Sequence, residues 1–124
     1  MEAEIRRTPG LVCGSVSLAT KQYYGVKLHT DGTVIVSSVQ GERAAGGGIL
    51  LNKPAVGEAA EVAFDGVMLF SADAAVAIGA PMTVQSDGQM MTAGGGDYVW
   101  GYCLLAAGAA GEYGTMLLQP QGVL

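Results

Sequence analysis

Glycine sets the limit on what this chain can fold into. No window of about 11 residues keeps an apolar stripe at the i, i+3, i+4, i+7 spacing of an amphipathic helix, and a glycine interrupts nearly every candidate. Each glycine inside a helix costs about 1 kcal/mol relative to alanine. The best exception, Ser71 to Ile78, is alanine-rich but short, and predicts one turn of helix. The rest reads as short strands separated by turn chemistry, which is the pattern of an all-β domain, a small β-barrel or β-sandwich.

The clearest unit is a hairpin. Gly25 to Thr30 alternates apolar and polar residues, Asp31-Gly32 follows, and Thr33 to Ser38 returns. Asp-Gly suits a two-residue type I′ turn, in which both central positions take positive φ. Further strands are expected at Ala59 to Phe64, Val67 to Phe70, Met82 to Gln85, Gln89 to Ala93, Tyr98 to Leu105 and Tyr113 to Leu118. Ser86-Asp87-Gly88 forms a tight turn, and the runs Gly46 to Gly48 and Gly94 to Gly96 mark bends or close backbone approach. Residues 1–20 have no clean period and read as an extended N-terminal arm, residues 21–120 as the β domain and residues 121–124 as a C-terminal tail.

The core of such a domain is short of volume. Half of the 124 residues are hydrophobic, but 18 are alanine, and 20 more positions are glycine. Either closely stacked sheets meet through small residues, or copies of the chain complete one another's cores.

Charge is segregated along the sequence. The six basic residues, Arg6, Arg7, Lys21, Lys27, Arg43 and Lys53, lie in the first 53 positions beside four acids. Residues 54–124 carry seven acids and no base, which predicts an unbroken acidic field on the surface they build and argues against nucleic acid as a partner. No apolar run reaches the roughly 18 residues of a membrane-spanning helix, so no membrane partner is expected. The apolar segment after Arg6-Arg7 falls well short of the roughly 7 to 15 residues of a secretory signal, so secretion is not expected.

Constellations for chemistry are missing from the sequence. His29 is the single histidine, and Cys13 and Cys103 stand 90 positions apart, so a tetrahedral metal site has no ligand set. Both cysteines read as free thiols, Cys103 as a small buried hydrophobe. There is no G-x-S-x-G elbow for a Ser-His-Asp device, and on a strand Glu58 and Glu61 would point to opposite faces. Leu51 and Val99 occupy the third glycine position of a G-x-G-x-x-G loop in the two glycine runs, and no G-K-[ST] follows either. The expectation is a protein that is not an enzyme and needs no cofactor. Tyr98, Trp100 and Tyr102, at spacing two, would share one sheet face, and aromatic residues anchor interfaces, so they are the expected subunit contact.

The order of motifs adds a family resemblance. Tyr24-Gly25-Val26-Lys27-Leu28, Asp31-Gly32 and Gly41-Glu42-Arg43 lead into Gly48-Ile49-Leu50-Leu51-Asn52-Lys53-Pro54-Ala55-Val56-Gly57-Glu58-Ala59 and Phe64-Asp65-Gly66-Val67. Ile78-Gly79-Ala80-Pro81, Ser86-Asp87-Gly88-Gln89, Gly96-Asp97-Tyr98-Val99-Trp100-Gly101 and Gly111-Glu112-Tyr113 follow. This succession, over roughly residues 22 to 119, resembles the tailed-phage capsid cement, or head decoration, proteins. Its most specific piece is Asn52 to Glu58. The chain departs from the pattern at Gly79-Ala80-Pro81, where the family often has Gly-Asp, and in the three glycines before Asp97.

The resemblance implies a small β protein without catalysis, trimeric, made in the host cytoplasm and bound to the outer surface of the virion's head at three-fold positions. Its partners would be the major capsid protein and its own copies. On this expectation Ile5, Arg6, Arg7, Leu11 and Val12 of the arm contact the capsid or a neighbouring subunit, while Tyr98, Trp100 and Tyr102 pack between subunits. A tail or fibre component and a small-molecule-binding β-barrel are the competing readings.

Overall fold

A computed structural model describes residues 5–124. Among these the chain is all β: nine strands form one antiparallel sheet and no segment is helical. They are β1 (Ile5–Thr8), β2 (Gly25–Leu28), β3 (Val34–Val36), β4 (Gly48–Leu50), β5 (Val62–Ser71), β6 (Pro81–Val84), β7 (Met90–Thr92), β8 (Gly101–Leu105) and β9 (Tyr113–Leu118). The strand order is β3-β2-β4-β5-β9-β8-β6-β7, with β1 on β5 outside that path. The sheet curls into a half-barrel. β2 and the loop after β3 reach across to the β6–β7 hairpin, where the Gly25 N–H donates to the Gly88 carbonyl at 2.6 Å and the Gly41 N–H to the Val84 carbonyl at 2.9 Å.

The ten-residue β5 organises the sheet. Ala63 pairs with both Arg7 and Ile49, and Gly66 with both Ile5 and Leu118. Each residue has two edges, so β4 and β9 share one edge of β5 end to end, and β1 lies on the other. Two strands were expected here, split near Asp65-Gly66. The glycine instead sits inside a continuous strand at φ 115°, paired on both edges, and the β1 ladder shifts register just before it, between Ala63 and Asp65.

Small residues set the spacing between strands. A Cβ on Gly48 would strike the Ala63 carbonyl oxygen, and one on Gly101 the Leu117 carbonyl oxygen. The interior is filled by flexible and aromatic side chains. Met68, Met82, Met90 and Met116 join Phe70, Trp100 and Leu118 in the larger cluster, each at most 5% exposed. Unbranched methionine fits irregular gaps well. A second cluster holds Cys13, Leu18, Val26, Val34, Leu50, Ala60 and Val62. Methionine thus supplies much of the volume that alanine and glycine leave out of the larger cluster.

Two local expectations are corrected, and both ends of the described chain pack on the sheet. The arm is part of the domain from Ile5 onward: β1 pairs with β5, Val12 bridges Ala59, Cys13 bridges Val34, and Leu18 is 1% exposed. Ser71 to Ile78 does not form a helical turn, because its backbone is taken up by bridges from Ala72 to Met90 and Val76 to Ala107. The first hairpin does not turn through a type I′ pair. Gly32 N–H donates to the His29 carbonyl and His29 N–H to the Thr33 carbonyl, and only Gly32, at φ 84°, is left-handed. That is a type I turn with a glycine bulge, the three-residue hairpin solution. The Asp31 carboxylate selects it by accepting from the Thr33 hydroxyl at 2.6 Å and the Thr33 N–H at 3.0 Å. The C-terminal tail is pinned as well, with Leu124 N–H donating to the Asp97 carbonyl at 2.8 Å.

Candidate functional site

The three aromatic residues expected at a subunit contact do not share a face. Trp100 lies just before β8, outside the regular pleat, and is 1% exposed within the core of its own chain. Its indole Nε1 donates to the Glu42 carbonyl at 2.8 Å. A buried side chain with its polar atom already satisfied is not a contact surface. Tyr98 is half-buried under the Arg43 guanidinium, 5.9 Å from its ring centre, where the ring's negative face attracts the cation. Tyr102 is also half-buried and projects outward, its hydroxyl donating to Gln121 Oε1 at 3.2 Å.

Tyr102 belongs to a different group that alternation identifies. On β5, β9 and β8 the residues Met68, Phe70, Met116, Leu118 and Cys103 point inward, each at most 5% exposed. Their neighbours therefore point outward. The registers align Val67, Leu117, Tyr102 and Pro81 in one row across four strands, and Leu69, Thr115 and Leu105 in the next. At an interstrand spacing of about 4.8 Å the first row spans roughly 14 Å. No charged residue stands in either row. Leu69 and Leu105 are 39% and 61% exposed. Ser71 and Tyr113 end the patch, and the Tyr113 ring meets Tyr23 edge-on at 5.4 Å between centroids. The sequence signal was present in Val67-Met68-Leu69-Phe70 and Tyr113 to Leu118, which are apolar on both faces.

The expected capsid-contact residues divide. Ile5 packs against the larger core cluster and Leu11 against the smaller. Val12, 38% exposed, and the guanidinium groups of Arg6 and Arg7 remain at the surface. Arg6 Nε lies 3.8 Å from Asp65 and Arg7 Nη1 3.9 Å from Glu61, because β1 lies along β5. The acidic field of the second half is therefore interrupted by bases from the first. These exposed pairs contribute little stability.

Among the described residues no group of three or more His, Cys, Asp or Glu side chains converges. Both cysteines are free and buried, and burial pushes the Cys103 thiol above its ordinary value. A cleft of about 360 Å³ opens between the Ser15–Leu18 loop and the β2–β3 hairpin, lined among others by Val16, Lys21, His29, Ile35 and Val36.

No protein-family model and no curated protein matches the chain.

Proposed function

We propose that this chain is a non-enzymatic capsid decoration protein. As a homotrimer it binds the outer surface of a tailed-phage head at three-fold positions, contacts the major capsid protein and resists the separation of neighbouring subunits.

The observation that carries this reading is the pair of adjacent charge-free rows, Val67-Leu117-Tyr102 and Leu69-Thr115-Leu105, on the outward side of β5, β9 and β8 in a chain of net charge -5. A surface of this kind is unfavourable in water and marks a site of protein contact. Copies that repel elsewhere meet there without bringing like charges together. The order of motifs shared with head decoration proteins supplies the partner. Linking several weak contacts through one trimer raises avidity by about 10² to 10⁴, so the function requires placement rather than a reactive group. In this assembly the apolar face packs between copies, with Tyr102 on it. The exposed part of the N-terminal segment, Arg6, Arg7 and Val12, turns toward the capsid.

The test mixes purified protein with undecorated mature heads, sediments them and counts bound copies. Saturation near one trimer per three-fold site supports the reading, and no cosedimentation at high protein concentration rejects it. Copurification with tails rather than heads would assign the chain to a tail or fibre.

A further inference from the structure

The cleft beside β3 contains an open step in the sheet. His29 N–H donates to the Thr33 carbonyl, and Ser37 N–H donates to the Gly25 carbonyl. By the alternation of an antiparallel pair, the N–H and C=O of Val34 and Val36 therefore point away from β2. Val34 is satisfied on that side. It donates to the Val12 carbonyl at 2.8 Å and accepts from Gly14 N–H at 3.1 Å, so residues 12–14 run beside β3 as a parallel strand one step long. The chain then leaves the edge. On that side no backbone or side-chain hydrogen bond reaches Val36 outside the β2–β3 ladder among the described residues. Two positions later Ser38 N–H is taken by the Glu42 carboxylate at 3.0 Å.

The departing loop forms the far wall of the cleft. Val16, 69% exposed, faces Ile35 and Val36 across about 360 Å³. At one end stands Lys21, whose ammonium lies over the Tyr24 ring at 4.8 Å and has no carboxylate partner among the described residues. At the other end Asp31 is already engaged by Thr33 and by His29 Nδ1 at 3.3 Å.

We infer that this cleft binds an extended peptide segment of a partner protein, which continues the strand begun by residues 12–14. The segment makes two main-chain hydrogen bonds to Val36, places one apolar side chain between Val16 and Ile35, and sets a carboxylate against Lys21. Main-chain pairing at a sheet edge with side-chain pockets for selection is an established mode of peptide recognition. An open donor and acceptor require an amide partner, an apolar wall requires an apolar side chain, and an unpaired cation selects an acid. The site is separate from the apolar face of β5, β9 and β8 and does not depend on the capsid reading.

The test titrates the isotope-labelled full chain with an acetylated, amidated pentapeptide of alternating glutamate and valine. A lysine-for-glutamate counterpart and a version N-methylated at the central valine serve as controls. The acidic peptide is expected to shift the Val36 amide resonance and slow its exchange with solvent. Both controls are expected to bind about tenfold more weakly or worse, the equivalent of one lost hydrogen bond or ionic contact. Lys21→Glu, checked for an otherwise unchanged spectrum, should reverse the preference between the acidic and basic peptides. No binding of the acidic peptide at millimolar concentration overturns the inference, as do shifts centred away from β3. Binding indifferent to N-methylation overturns it in favour of a pocket for small apolar molecules.

Discussion

The Trp100 indole is tied to the Glu42 carbonyl by a 2.8 Å hydrogen bond that joins positions 58 residues apart. The bond fastens the loop after β3 to the strand entering the other end of the sheet. It also satisfies the one polar atom of a tryptophan buried in the larger core cluster, which needs a partner there. Trp100→Ala is therefore expected to act on the fold before it acts on any assembly. The loss should be about 3 to 5 kcal/mol, measured by denaturant unfolding at a protein concentration where only the single chain is present.

Deleting residues 1–20 is expected to damage the domain rather than trim an appendage. The deletion removes β1 from β5 and takes Cys13 and Leu18 out of the second core cluster. Burying a leucine alone is worth about 1.5 to 3 kcal/mol. Thermal unfolding of the truncated chain should show a clearly lower midpoint, and an unchanged midpoint would contradict the assigned role of this segment.

Leu117→Glu places a charge in the middle of the outward row, between Val67 and Tyr102. Leu117 is half-buried, so the substitution should lower the stability of the single chain by about 1 kcal/mol and leave it folded. Self-association measured by sedimentation should fall sharply, because each copy would bury an unpaired carboxylate at the contact.

Asp31 gives the first hairpin a pH dependence. The Thr33 hydroxyl, then the Thr33 N–H, then His29 hold its carboxyl below the ordinary value of 3.8. A lowered folded-state value means that the contribution is present above the unfolded value and is lost as pH falls through the folded one. The Thr33 amide resonance should therefore titrate with a midpoint below 3.8, and in Asp31→Asn that transition should disappear.

The all-β class and most strands were legible because turn residues and alternation are local signals. Tyr113 to Leu118 matches β9 at both ends, and Gly46 to Gly48 proved to be a close approach. Asp31-Gly32 was recognised as a turn, but its type was decided by an aspartate reaching forward to Thr33, a side-chain bond that dipeptide preference does not encode. The N-terminal segment looked unstructured because short, irregular pairing leaves no period, and its partners, Ala59, Ala63 and Val34, lie far along the chain. The aromatic triplet misled because spacing two implies a shared face only inside a regular strand, and β8 begins one residue after Trp100. Charge segregation in the sequence likewise dissolved once β1 crossed to β5 and brought Arg6 to Asp65.

The most direct measurement is the temperature at which DNA-filled heads rupture, with and without saturating amounts of the protein. Holding subunits together requires that decorated heads release their DNA at a higher temperature, and that Leu117→Glu protein at the same concentration give little or no increase. Heads that carry the wild-type protein and rupture at the temperature of bare heads would contradict the account.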